Sequence, residues 1–173
     1  MVSRPWKLLG PFHIDKHSPL AWKSLFRDAT RRYSGLADAV GVYIIGSSIG
    51  STTRIRYVGM TFDQGFEREV FSQRNCGLVW DPLLDLRTGQ VKLWLVAKPT
   101  PSGRGYSADW RLKYQAHLLE TLFIMHAKAA GHKLLNTKKM KSADGISVSG
   151  LFGNRRRGKR AAGLIELANA LAI

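Results

Sequence analysis

One cysteine, Cys76, in a chain of 173 residues leaves no internal disulfide to form and no cysteine pair for a zinc site. Acids are scarce as well, at 12 Asp+Glu against 27 Lys+Arg, which leaves a formal net charge of +15. No run comes near the ~18 consecutive apolar residues that a spanning helix needs, and the first residues, MVSRPWKLLGPFHIDKH, have no apolar stretch of signal-peptide length before their prolines and charges. These absences predict a soluble cytoplasmic protein without a membrane partner. What is present is a body able to fold: 45% hydrophobic residues and five tryptophans exclude a disordered basic tail. A charge of this size on a folded body points to a polyanion, nucleic acid first.

The chain divides by composition. Residues 1–40 read as an N-terminal arm, with Pro5, Pro11 and Pro19 interrupting it and one helical piece around Ala21, Trp22, Leu25 and Phe26. Gly41-Val-Tyr-Ile-Ile45 is a β-rich run, residues 46–53 are turn material, and Arg54-Ile-Arg-Tyr-Val-Gly-Met60 alternates, so an antiparallel hairpin is predicted. A short helix is expected from Asp63 to about Gln73, then a loop with Asn75, Gly77 and Pro82, and a third strand over Val91–Ala97. The longest helical pattern begins at Ser107 or Asp109 as cap, with apolar residues at Trp110, Tyr114, Leu118, Leu122 and Met125, and ends at Gly131. Residues 138–173 form a basic extension closed by a short helix from Ala161 to Ala172; between 132 and 160 there is a single acid, Asp144, against nine Lys/Arg.

Glu120 is the most informative residue. It is one of four glutamates and stands in His117-Leu-Leu-Glu-Thr-Leu-Phe-Ile-Met125, where a buried carboxylate needs a cation, a metal or several donors beside it. The alternative is a place on the solvent stripe of an amphipathic helix, with His117 one turn before it. Tyr43 and Tyr57 taken singly are ordinary strand tyrosines, and Arg68, beside Glu67 and Glu69, is an ordinary surface arginine.

Taken in order, Gly41-Val42-Tyr43, Tyr57-Val58-Gly59, Arg68, Glu120 in an apolar helix and Asn136 resemble the GIY-YIG nuclease family over about residues 41–136. The resemblance implies an α+β fold, a small three-stranded antiparallel sheet flanked by helices, with a nuclease core at 41–137. Residues 75–106 exceed what a minimal core needs and are expected to be an inserted loop that helps read DNA. It also implies catalytic roles for Tyr43, Tyr57, Arg68, Glu120 and Asn136, and one Mg²⁺ or Mn²⁺ per site held by Glu120. The activity implied is hydrolysis of DNA, most simply duplex, to 5′-phosphate and 3′-hydroxyl ends, in a stand-alone restriction or phage-type endonuclease. A homodimer follows if it makes double-strand cuts.

The residue types suit that chemistry. A hard cation is content with one carboxylate and several waters, and an arginine offers a permanent forked cation to the scissile phosphate. Either tyrosine, with an ordinary pKa of ~10, needs help from nearby positive charge to act as a base. Asn136 orients a water or braces Glu120. The family often has His or Tyr four residues beyond the arginine; here Ser72 stands there, with Gln73 or Arg74 as substitutes. Lys138, Lys139, Lys141, Arg155, Arg156, Arg157, Lys159 and Arg160 are expected to contact phosphates. The competing reading of the same charge is a nucleic-acid-binding protein without turnover.

Overall fold

Four strands, β1 (Lys7–Ile14), β2 (Gly41–Ile49), β3 (Thr52–Met60) and β4 (Gln90–Ala97), form one antiparallel sheet in the order β1, β4, β2, β3. The computed structural model describes residues 4–14, 21–61, 63–80, 83, 89–135 and 162–171. The central strands are the two with near-continuous apolar sequence, GVYIIGSSI and QVKLWLVA, and both are covered on their two faces. The outer strands carry what an edge tolerates: Pro11 and His13 on β1, Arg54 and Arg56 on β3.

On one face, Phe26 and Ala29 of α1 (Ala21–Arg32), Leu36, Phe66 and Val70 of α2 (Phe66–Val70), and Val79 and Trp80 cover Tyr43, Ile45, Val91, Leu93 and Leu95. Between them α3 (Gln73–Asn75) runs into a single π turn, Cys76–Trp80. On the other face, Ala116, Leu119, Phe123, Ile124 and Ala127 of α4 (Lys113–Ala129) and Leu167 and Leu171 of α5 (Ala162–Leu171) cover Val42, Ile44, Ile55, Val58, Trp94 and Val96. Glu166 of α5 ties the layers together, its Oε1 lying 2.5 Å from both Lys92 Nζ and Thr53 Oγ1.

The sheet therefore has four strands, not three. The extra one is Lys7–Ile14, in the segment expected to be an arm; its Lys-Leu-Leu-Gly-Pro-Phe-His-Ile sequence lacks clean alternation because it breaks register between Leu9 and Phe12. Residues 75–106, expected to be an inserted loop, contain β4, which lies between β1 and β2. The helix expected over 63–73 divides at Ser72, whose Oγ accepts from Asn75 N at 3.3 Å and starts α3. Asp109 caps a 3-10 turn over Trp110–Leu112, its Oδ1 accepting from Arg111 N. Helix α4 follows at Lys113 with Leu112 as N-cap and no side-chain cap, so neither Ser107 nor Asp109 caps the long helix itself. Trp110, in the tighter 3-10 turn, is 74% exposed, and Tyr114, the second residue of α4, lies off the buried stripe of Ala116, Leu119 and Phe123 and is 70% exposed, although both were expected on the apolar stripe.

Candidate active site

The two glycine–tyrosine tripeptides are explained by steric contact. A Cβ on Gly41 would lie 2.1 Å from Val96 O and 2.6 Å from Phe66 Cζ, so this strand start packs only without a side chain. A Cβ on Gly59 would lie 2.4 Å from both Cζ and Oη of Tyr43 and 2.8 Å from Tyr57 Cε1. Gly59 faces Tyr43 across the ladder, and the Tyr43 ring occupies the space that a side chain at 59 would need. The two tyrosine rings consequently stack, with centroids 5.9 Å apart and planes 30° from parallel.

A bulge completes the pairing. Ile45 pairs with Tyr57 but Gly46 pairs with Ile55, so Arg56 is one residue too many on β3. Strict alternation would send Tyr57 to the same face as Ile55, which lies under α4 and α5. The extra residue flips the parity, and Tyr57 joins Tyr43 on the opposite face.

Hydrogen bonding gives the pair a direction. Asn75 Nδ2 donates to Tyr43 Oη at 2.8 Å and to the Glu69 carbonyl at 2.6 Å, occupying one acceptor site of the Tyr43 hydroxyl. Burial, then the charges of Tyr57 and Glu69, push the Tyr43 phenol far above its ordinary range; the hydrogen bond to Tyr57 adds to this, against the opposing Asn75 bond. Tyr57 is half-buried. Burial raises it too, but the hydrogen bond from Tyr43 and the charge of Arg74 favour its phenolate, while Glu120 and Glu69 oppose it. Both phenols are therefore held above their ordinary range, Tyr43 the more strongly, and Tyr57 has the nearby charge of Arg74 to offset part of the rise.

Glu120 is 5% exposed on α4, which removes the solvent-stripe alternative. His117 Nδ1 lies 3.5 Å from its Oε2, one turn earlier, and the carboxylate is close enough to Tyr57 to raise its pKa. Among the described residues no group of three His, Cys, Asp or Glu side chains is placed to hold a metal ion. A cation here would take Glu120 as its protein carboxylate, with His117 adjacent.

Arg68 is exposed on α2, and the guanidinium whose charge reaches Tyr57 is that of Arg74. Asn136 lies outside the described residues, as do Lys138, Lys139, Lys141, Arg155, Arg156, Arg157, Lys159 and Arg160. The residue before Asn136 is fixed against the hairpin: Leu135 N donates to Arg56 O at 2.9 Å. Two residues of the cluster, Asn75 and Glu69, were not expected. Burial pushes the Glu69 carboxyl up, and Asp63 adds to this against the opposing charge of Arg74. The sequence holds one pointer to Asn75, its place three residues after the cap Ser72. Comparison of the chain with protein-family models, curated proteins and solved structures finds no match.

Proposed function

We propose that the protein is a divalent-metal-dependent endonuclease of GIY-YIG type that hydrolyses double-stranded DNA to 5′-phosphate and 3′-hydroxyl ends. The observation that carries this reading is the stacked Tyr43–Tyr57 pair together with the buried carboxylate of Glu120 on α4, near enough to Tyr57 for its charge to act on that phenol. A buried carboxylate needs a cation or donors beside it, and Glu120 has His117 within 3.5 Å and Tyr57 within reach of its charge. The +15 charge supplies attraction for a polyanion.

In this mechanism a water attacks phosphorus as the P–O3′ bond breaks. Tyr57 accepts the proton of the water, and the departing 3′ oxygen is protonated from solvent. Tyr43, kept neutral by burial and held by Asn75, donates its hydrogen bond to Tyr57 and stabilises the phenolate form. Arg74 offsets the negative charge of Glu69 and faces the phosphate as the forked cation, the role expected of Arg68. One buried carboxylate fits a Mg²⁺ or Mn²⁺ ion that keeps most of its waters, and the ion, when bound to Glu120, neutralises charge growing on the phosphoryl and leaving oxygens. Among the described residues no helix is long and apolar enough to cross a membrane.

Nicking of supercoiled plasmid with Mg²⁺ tests the reading. The native chain cuts and Glu120→Ala does not. Binding without cutting, across several metals and substrates, would leave a non-catalytic DNA-binding protein instead.

A further inference from the structure

The bulge that turns Tyr57 toward Tyr43 also determines what lies beside them. Along β2, Tyr43, Ile45, Ser47 and Ile49 alternate onto one face. Ser47 pairs with Arg54 and Ile49 with Thr52, so these partners project from that same face. Arg56 keeps the parity of Arg54. The result is a cavity of about 320 Å³ lined, among the described residues, by Ser47, Ile49, Thr52, Arg54 and Arg56. It continues the surface on which the tyrosines stand, toward the tip of the hairpin.

Arginines on an edge strand commonly serve only to block sheet pairing. Three observations go beyond that here. Neither Arg54 nor Arg56 forms an ion pair among the described residues, although each of Arg31, Lys92 and Arg111 does. Both share one concavity with Ser47, a polar side chain only 7% exposed. At ~3.4 Å per residue, Arg54 and Arg56 fall within about 10 Å of Tyr57 along the strand, the axial length of about three nucleotides of one DNA strand.

We propose that the Arg54–Arg56 groove is a backbone subsite that grips the phosphodiesters flanking the cut, without reading bases. This rests on the endonuclease reading above. The ligand chemistry is a row of phosphodiester monoanions, each meeting a forked guanidinium. The subsite sets register: it holds the strand along the hairpin so that one phosphate lies over Tyr57.

The test is duplex binding followed by fluorescence anisotropy in EDTA, where no cutting occurs, as a function of NaCl concentration. Each lost phosphate contact makes the slope of log K against log[salt] shallower by ~0.9. Arg54→Gln/Arg56→Gln is expected to flatten the slope by ~1.8 and to weaken binding about 60-fold at ~0.1 M salt. Arg54→Lys/Arg56→Lys should retain the slope, and the charge-matched control Arg31→Gln/Arg104→Gln should match the native protein. An unchanged slope for the Gln pair, or an equal loss in the control, overturns the subsite. If the slope is unchanged while the native chain still nicks plasmid with Mg²⁺, only the subsite fails. A native chain that neither binds duplex nor nicks it sinks both readings.

Discussion

Adding one methyl group, Gly59→Ala, tests the geometry of the tyrosine pair directly. The new Cβ would stand 2.4 Å from Tyr43 Cζ and Oη, where carbon–carbon contact is comfortable at ~3.5–4.0 Å. The shortfall exceeds 1 Å, and Tyr43, fully buried, has Asn75 on its hydroxyl and no open side to retreat into. Overpacking of this kind costs about 1–3 kcal/mol. At ~2–4 °C per kcal/mol for a domain of this size, the thermal midpoint should fall by roughly 2–12 °C, read by circular dichroism. Nicking should fall much further than stability, because a ring displaced by ~1 Å loses its alignment with Tyr57. In a Tyr43→Ala background the clash partner is gone, so Gly59→Ala should cost distinctly less there, a coupling that a double-mutant cycle measures. A Gly59→Ala protein with native midpoint and native nicking would refute the steric account of the motif.

With Tyr57 as the base, its pKa raised above the ordinary ~10 by burial, the nicking rate should climb about tenfold per pH unit between ~7 and ~9; a flat profile there excludes a phenol. Asn75→Leu removes the donor to Tyr43 and should destabilise by about 1–3 kcal/mol, while slowing nicking more than it weakens duplex binding; equal loss of both would make Asn75 merely structural. Glu166 is pushed up by partial burial, but hydrogen bonds from Lys92 and Thr53, with the charges of Lys92 and His13, outweigh this and hold it below its ordinary range. Its contribution is therefore present above the ordinary value of 4.5 and lost as pH falls through the lower folded value. Glu166→Gln should lower stability by about 1.5–3 kcal/mol at neutral pH and match the native protein in strong acid; a gap that persists in acid would assign the loss to packing.

The hairpin, the third strand over Val91–Ala97 and the long helix were legible because each has a strong local period or bounded apolar run, with Gly or Pro to end it. The position of Glu120 was legible as a contradiction, a carboxylate in an apolar setting, and its burial resolves which alternative applies. The strand Lys7–Ile14 was not legible: Gly10 and Pro11 read as loop signals, and only pairing with β4 makes the segment extended. The parity of Tyr57 was hidden as well. A bulge is a property of two strands together, so no count along β3 alone shows that Ile55 and Tyr57 face opposite ways. Arg74 rather than Arg68 reaches Tyr57 because the helix breaks at Ser72, which resets the angle of every side chain after it.

The way the two outer strands are finished governs how two copies could meet. Strand β1 is interrupted by its register shift and by Pro11, and Gly163 of α5 is so close that a Cβ there would lie 2.3 Å from Pro11 Cδ. On β3 the outward carbonyl of Arg56 is already taken by Leu135. Among the described residues both rims are interrupted, β1 at Pro11 and β3 at the Arg56 carbonyl, so neither presents an unbroken row of free peptide groups for strand addition. A pair of molecules assembled to cut both strands of a duplex would therefore join through side chains, or through the DNA, and not by extending one sheet into the next.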